Sequence, residues 1–111
     1  MKIVAVDLDD TLCSRPVISD QVGPIEKYKY CYPLEDNIKR INEYTTGSYV
    51  IIYTARGMTS LQGNIKNIEH YLRPITEKQL KKWGVRYDKL VFGKAHYDVI
   101  IDDKSLYIKD I

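Results

Sequence analysis

Three carboxylates follow the first apolar run of the chain within four positions. They belong to Asp7, Asp9 and Asp10 in the stretch D-L-D-D-T. Like charges at this spacing repel one another unless a cation or a shared proton relieves the repulsion. The cluster is therefore either an ordinary solvated turn or a site that binds a metal ion, and residues elsewhere in the chain must decide between the two.

Two later apolar runs also end in polar residues, one in Thr54 and the other in Asp102-Asp103. If these runs are parallel strands, their carboxyl ends lie at the edge of the sheet where such folds bind ligands. Asp7, Asp102 and the Thr54 hydroxyl would then converge. Carboxylates without a neighbouring histidine or cysteine suit Mg²⁺, whose other ligands are usually waters and a substrate phosphate. The pattern therefore predicts Mg²⁺ and a phosphorylated substrate.

A carboxylate at this edge can also attack phosphorus, which splits one difficult displacement into two easier steps. A second carboxyl group nearby, for which Asp9 is the candidate, can give a proton to the leaving group and then activate a water molecule. The charge that develops on the phosphoryl oxygens needs donors, which Thr54 and a lysine would supply.

The elements that must position these residues alternate along the chain. Apolar runs rich in β-branched residues predict four buried strands, at 2–7, 49–54, 89–92 and 99–101. Helical spacing predicts helices that end at Gly47 and Pro74, and a capping box at 76–79 predicts a short third helix that ends at Gly84. Residues 13–33 are interrupted by prolines and a glycine, and they predict a flap with at most a short hairpin.

This alternation predicts one α/β domain over residues 1–111, a small doubly wound, Rossmann-like, mostly parallel sheet with helices on both faces. The net charge of +2 arises from interspersed residues of both signs, without a basic arm for nucleic acid. The apolar runs are too short for a signal or a membrane span, which favours a cytoplasmic protein. Cys13 and Cys31 lack metal-site spacing and are interpreted as reduced structural thiols.

The motifs D-L-D-D-T-L, I-I-Y-T-A-R, a following lysine and I-I-D-D, in this order, resemble those of the haloacid dehalogenase-like superfamily of aspartate-nucleophile phosphohydrolases. The resemblance extends from Met1 to about Ser105. The stretch Y-D-K-L-V-F-G-K-A-H-Y-D-V-I-I-D-D-K is also similar to a compact branch found among capsule and surface-polysaccharide biosynthesis phosphatases. Neither interval between the motifs is long enough for a folded cap, so the resemblance implies that superfamily's core without a cap domain.

Carried over residue by residue, the resemblance implies that Asp7 is the nucleophile and a Mg²⁺ ligand. Asp9 would be the general acid and base, with its backbone carbonyl on the metal. Thr54 would bind the phosphoryl group. Asp102 would hold Mg²⁺ directly or through water, and Asp103 would be a supporting or alternate metal ligand.

The lysine of the resemblance is assigned to Lys94, because the compact branch places its lysine before the last strand. Lys89 and Lys82 are the alternatives, since the proline that usually follows in that branch is replaced here by Ala95. Three further residues beside these motifs are candidates for substrate contacts or for ordinary surface and turn positions: Arg56, Asp10 and His96.

The interpretation that follows is a Mg²⁺-dependent phosphomonoesterase that acts on a sugar phosphate or a glycan-linked phosphate. A site without a cap is open, so we expect a large substrate or a neighbouring subunit of a homo-oligomer that walls the site. A polynucleotide end phosphatase is the alternative among enzymes, and its binding would weaken steeply with salt. A receiver-like phosphoacceptor domain fits the residue types but not their order, and intact motifs disfavour an inactive binding module.

Overall fold

A computed structural model of the chain describes residues 1–16 and 19–111, so that Val17 and Ile18 of the expected flap lie outside the described residues. Within the described residues three strands form: β1 (Ile3–Val6), β2 (Tyr49–Thr54) and β3 (Lys89–Phe92). The helices are α1 (Glu35–Tyr44) and α2 (Ile65–Lys82), with two short 3₁₀ helices at Glu26–Tyr30 and Ile108–Asp110. Among the described residues, none of the helices is both long and apolar enough to cross a membrane.

The three strands pair in the order β1-β2-β3, and both pairs are parallel. Both crossovers therefore advance in the same direction across the sheet, and right-handed crossovers of this kind place their helices on one face. The burial agrees: Val50 and Ile52 of β2 share one core with Ile38 of α1 and Leu72 of α2. The opposite face carries exposed side chains, including Ile3.

The expectation of a doubly wound sheet and of the capless core of the haloacid dehalogenase-like superfamily is therefore wrong. The protein is a small α/β domain with a three-stranded parallel sheet and two α-helices, which is too small for that core. The expected fourth strand at 99–101 does not form, and Ile101 is 97% exposed. Six residues (93–98) separate β3 from that segment, whereas a crossover between parallel strands needs roughly a dozen or more.

Helix α2 also differs from expectation, because it continues through Pro74 to Lys82 instead of ending there. Proline inside a helix costs about 3 kcal/mol, since it removes one hydrogen bond and crowds the preceding turn. The continuous buried face of α2 offsets that cost, with Leu72, Thr76 and Leu80 all fully buried. The helix ends as expected, with Gly84 at a φ of +71° and the Val85 N–H donating to the Leu80 carbonyl at 3.0 Å.

Candidate functional site

The turn after β1 folds around one carbonyl group. The Leu8 carbonyl accepts hydrogen bonds from the N–H groups of Thr11, Leu12 and Cys13, at 3.1, 2.8 and 3.3 Å. Leu8 itself is fully buried, which anchors the turn to the core. Residues two apart share a face only while a strand continues. Here the chain turns at Leu8, so Asp7 and Asp9 reach different partners, Lys94 and Arg56.

Asp7 lies at the carboxyl edge of the sheet, beside Lys94. The Lys94 Nζ is 3.5 Å from an Asp7 carboxylate oxygen, and the Asp7 side chain is 39% exposed. Burial raises the pKa of the Asp7 carboxyl above its ordinary value, and the Lys94 ammonium group opposes that rise. Burial lowers the pKa of Lys94, but Tyr97 and Asp7 raise that pKa by more. The structure thus pairs the expected nucleophile with the expected lysine.

Asp9 points inward and is held by Arg56. The Arg56 Nε donates to both carboxylate oxygens of Asp9 at 3.1 and 3.2 Å, and Nη2 donates to Oδ1 at 3.0 Å. The Arg56 side chain has no exposed area and the Asp9 side chain is 22% exposed, so the ion pair is largely desolvated. Burial lowers the pKa of the guanidinium, but the Asp9 carboxylate and, to a smaller extent, Cys13 and Cys31 together raise it above its ordinary value.

Arg56 has further partners on α2 and on the flap. Its Nη1 donates to the Thr76 hydroxyl at 3.0 Å and to the Gln79 Oε1 at 2.7 Å. The ring of Tyr28 lies 5.2 Å from the centre of the guanidinium. As placed, Arg56 positions Asp9 and does not face the solvent from which a substrate would arrive.

Thr54 ends β2 with its side chain buried. Its hydroxyl accepts a hydrogen bond from the Arg56 N–H at 3.1 Å, which leaves the hydroxyl proton for another acceptor. The Thr54 carbonyl accepts from the Lys94 N–H at 3.2 Å, so the chain after β3 is tied to the end of β2. This contact sets the direction in which the loop carries Lys94 towards Asp7.

The remaining expected site residues are exposed. Asp10 has a φ of +68° and pairs with Arg15 at 2.6 Å on the surface. His96 is exposed. Asp102 accepts from the Lys104 N–H in a local turn, and Asp103 is exposed beside it.

The described residues therefore do not gather the four aspartates that were expected to bind metal. In a candidate metal cluster, three or more Asp, Glu, Cys or His side chains have possible ligand atoms that all lie within 4.8 Å of one another. Within the described residues, such a cluster forms only from Asp9, Cys13 and Cys31. Asp7, Asp102 and Asp103 are not part of such a group. A hard-oxygen site at Asp7 would have to draw on that carboxylate, backbone carbonyls, water and substrate.

Sequence reasoning missed several contributors to the site. Tyr28, Cys13 and Cys31 surround Asp9 and Arg56 from the flap and the turn, and no sequence spacing connects them. Thr76 and Gln79 were interpreted as the capping box of a new helix, whereas their side chains bind Arg56 from the middle of α2. The sequence did contain one signal, because Thr76 and Gln79 are two polar residues, three positions apart, on an otherwise apolar helix face, and such residues often bind a buried polar group.

Replacing Tyr28 with phenylalanine tests the link between the flap and the site. The Tyr28 hydroxyl accepts from the buried Gly57 N–H at 3.0 Å. Its loss would leave that N–H unpaired, so we expect the free energy of unfolding in urea to fall by about 1 to 3 kcal/mol. Tyr30→Phe on the same 3₁₀ helix is the control, because Tyr30 is 61% exposed; equal stability of the two variants would contradict this role of Tyr28.

A crystal structure of an MCSG target from Vibrio cholerae is similar to this chain. The two are 34% identical, the match covers 98% of this chain and 85% of the other, and the TM-score is 0.82. The chain therefore belongs to the same protein family as that Vibrio cholerae protein. No protein-family model and no curated protein matches the chain.

Proposed function

We propose that the protein is a Mg²⁺-dependent phosphomonoesterase that acts through an aspartyl-phosphate on Asp7. The observation that carries this proposal is the ion pair of Asp7 and Lys94, at 3.5 Å, on a part-exposed carboxylate at the carboxyl edge of the parallel sheet. Ligands of such sheets bind at this edge. The resemblance of the D-L-D-D-T and I-I-Y-T-A-R motifs to haloacid dehalogenase-like phosphohydrolases supports the same reaction, although the fold is smaller than that superfamily's core.

In this mechanism an Asp7 oxygen attacks the phosphorus of a monoester and displaces an alcohol. Lys94 favours the ionised form of the attacking carboxylate against the effect of burial and binds a phosphoryl oxygen as negative charge develops there. The Thr54 hydroxyl, which accepts from the Arg56 N–H, can donate its proton to the phosphoryl group. Asp9 would give a proton to the ester oxygen, which leaves as the alcohol. It would then take a proton from the water that hydrolyses the aspartyl-phosphate. Both steps require its carboxyl group to turn from Arg56.

The oxygen ligands available around Asp7 are of the type that Mg²⁺ prefers. Mg²⁺ commonly uses one or two protein carboxylates and completes its coordination with waters and a substrate phosphate. Asp7 and the Asp9 backbone carbonyl would hold the ion, which supplies charge neutralisation for the phosphate when bound. Asp102 and Asp103 would contribute only if their segment approached Asp7.

The proposed substrate is a sugar phosphate or a phosphate on a glycan, encountered in the cytoplasm. The exposure of Asp7 supports a phosphate carried on a bulky molecule, because a large substrate can reach a carboxylate that is partly open to solvent. A second subunit that walls this side would serve the same purpose for a smaller substrate.

Release of phosphate from an aryl phosphate, with and without Mg²⁺, tests the proposal. We expect Mg²⁺-dependent turnover that Asp7→Asn abolishes and that Lys94→Met lowers by about 10²- to 10³-fold in kcat. Lys89→Met is the matched control and should leave kcat unchanged, because Lys89 is an exposed lysine on the neighbouring β3.

Turnover by Asp7→Asn equal to the unmodified protein would overturn the mechanism, and equal effects of the two lysine variants would overturn the role of Lys94. A panel of sugar phosphates, nucleotides and 3′-phosphorylated oligonucleotides, assayed at two salt concentrations, would then identify the substrate class.

A further inference from the structure

The thiols of Cys13 and Cys31 lie close together in the interior of the protein. The first lies in the turn after β1, and the second directly follows the 3₁₀ helix Glu26–Tyr30. Both are buried free thiols, and their sulfur atoms lie within 4.8 Å of each other. The Cys13 thiol is 3.3 Å and the Cys31 thiol 3.9 Å from the same oxygen, Oδ1 of Asp9.

The backbone holds the two cysteine segments side by side. Cys13 forms an antiparallel bridge with Pro33. On either side of that bridge, the Ser14 N–H donates to the Tyr32 carbonyl at 2.8 Å and the Leu34 N–H donates to the Leu12 carbonyl at 2.9 Å. The approach of the two sulfur atoms is therefore set by paired backbone segments, and a rotation about the side-chain bonds is enough to change their separation.

The same three side chains could hold a thiophilic metal ion, but Arg56 argues against it. Its Nη2 lies 3.0 Å from the Asp9 Oδ1 and 3.5 Å from the Cys13 sulfur. A guanidinium group does not lose its proton in proteins, so a divalent cation at this cluster would face a fixed, buried positive charge. Oxidation of the two neighbouring thiols is therefore the chemistry that this cluster favours.

We propose that Cys13 and Cys31 are an oxidation site that forms an intramolecular disulfide between the turn after β1 and the end of the 3₁₀ helix Glu26–Tyr30. Hydrogen peroxide is a sufficient oxidant. Cys31 is the more exposed residue of the two. Its sulfur attacks one peroxide oxygen, the O–O bond breaks, and water leaves with formation of a sulfenic acid. The Cys13 sulfur then attacks the Cys31 sulfur and releases a second water. Two thiols thus lose two electrons and two protons, and peroxide becomes two waters.

The disulfide would change the surroundings of Asp9 and the attachment of the flap. The sulfur atoms must close from within 4.8 Å to the bond length of about 2.05 Å. Asp9 would lose the thiol proton that Cys13 donates and keep its bonds to Arg56. The 3₁₀ helix that carries Tyr28 would be covalently tied to the turn after β1, which constrains the unfolded chain and stabilises the folded one.

The experiment oxidises the purified protein with a small excess of hydrogen peroxide and then alkylates it under denaturing conditions. We expect a monomer about 2 Da lighter than the reduced protein, with both cysteines protected from alkylation. After digestion with trypsin, the disulfide should hold the peptide 3–27 and the peptide 30–39 together, and a reductant should separate them. The Tm should rise by several degrees and return on reduction.

Cys31→Ala is the control, because it should gain oxygen on Cys13 or remain unchanged, without the linked peptide and without the rise in Tm. Alkylation of both cysteines after oxidation of the unmodified protein, or linkage between chains instead of within one, would overturn the proposal. So would a zinc ion that survives dialysis and protects both thiols from peroxide, since that result would assign the cluster to a metal. These readouts do not depend on the proposed phosphatase activity.

Discussion

Replacing Arg56 with methionine is expected to lower the free energy of unfolding by about 3 to 5 kcal/mol. Removing one partner of a buried ion pair leaves the other charge without compensation, and Asp9 is only 22% exposed. The same change removes the donor to Thr76 and Gln79, whose side chains are buried on α2. Urea unfolding followed by circular dichroism measures the loss.

The chain offers a matched control in a second arginine–aspartate pair. Arg15 and Asp10 pair at 2.6 Å, but their side chains are 79% and 52% exposed. Exposed pairs of this kind contribute little, so Arg15→Met should change stability by less than about 1 kcal/mol. Asp9→Asn combined with Arg56→Met should recover part of the loss, because no buried carboxylate is then unpaired. Similar losses for the two single arginine variants would contradict the desolvated pair.

Replacing Gly57 with alanine is expected to lower the free energy of unfolding by about 2 to 5 kcal/mol, the sum of a backbone cost and a packing cost. Gly57 directly follows Arg56 and has a φ of +80°. A Cβ there would lie 2.6 Å from the Ile68 Cγ1 and 2.9 Å from the Leu72 Cδ1. Both contacts are far inside van der Waals distance, so the Ile68 and Leu72 side chains, or α2 with them, would have to shift.

Gly84→Ala separates the two costs, because Gly84 has a φ of +71° but no atom within 4 Å of the added Cβ. The free energy of unfolding of Gly84→Ala should fall only by the backbone cost of about 1 to 2 kcal/mol. Chemical denaturation of both variants gives the packing cost as the difference. Equal losses at the two glycines would show that α2 yields to the added methyl group.

The local elements were largely predictable from the sequence. Strands β2 and β3 form at the predicted residues 49–54 and 89–92, since short β-branched apolar runs have few other stable arrangements. The end of α2 was predictable from Gly84, because the left-handed conformation there favours glycine. The segment 99–101 has the same composition but no partner strand, so composition alone predicted it wrongly.

The contacts across the site were only partly predictable. The pairing of Asp7 with Lys94 was expected only through the family resemblance, which left Lys89 and Lys82 as alternatives; in the structure both residues follow strands whose carboxyl ends share an edge. Asp9 could not be assigned its partner, since Arg56 reaches it from another strand end and is in turn held from the middle of α2. The order of side chains around a buried charge depends on packing between elements, which local spacing does not encode.

By itself, the sequence determined where strands could form and which acidic residues would follow them, because these depend on local propensity and on the alternation of apolar and polar residues. Only the tertiary structure decided that the sheet has three strands with one covered face, and that α2 passes through Pro74. It also decided that Asp9 turns inward to Arg56 and two thiols while Asp7 stays at the edge with Lys94. The reason is that burial of a shared core and pairing of buried charges outweigh local preferences of a few kcal/mol.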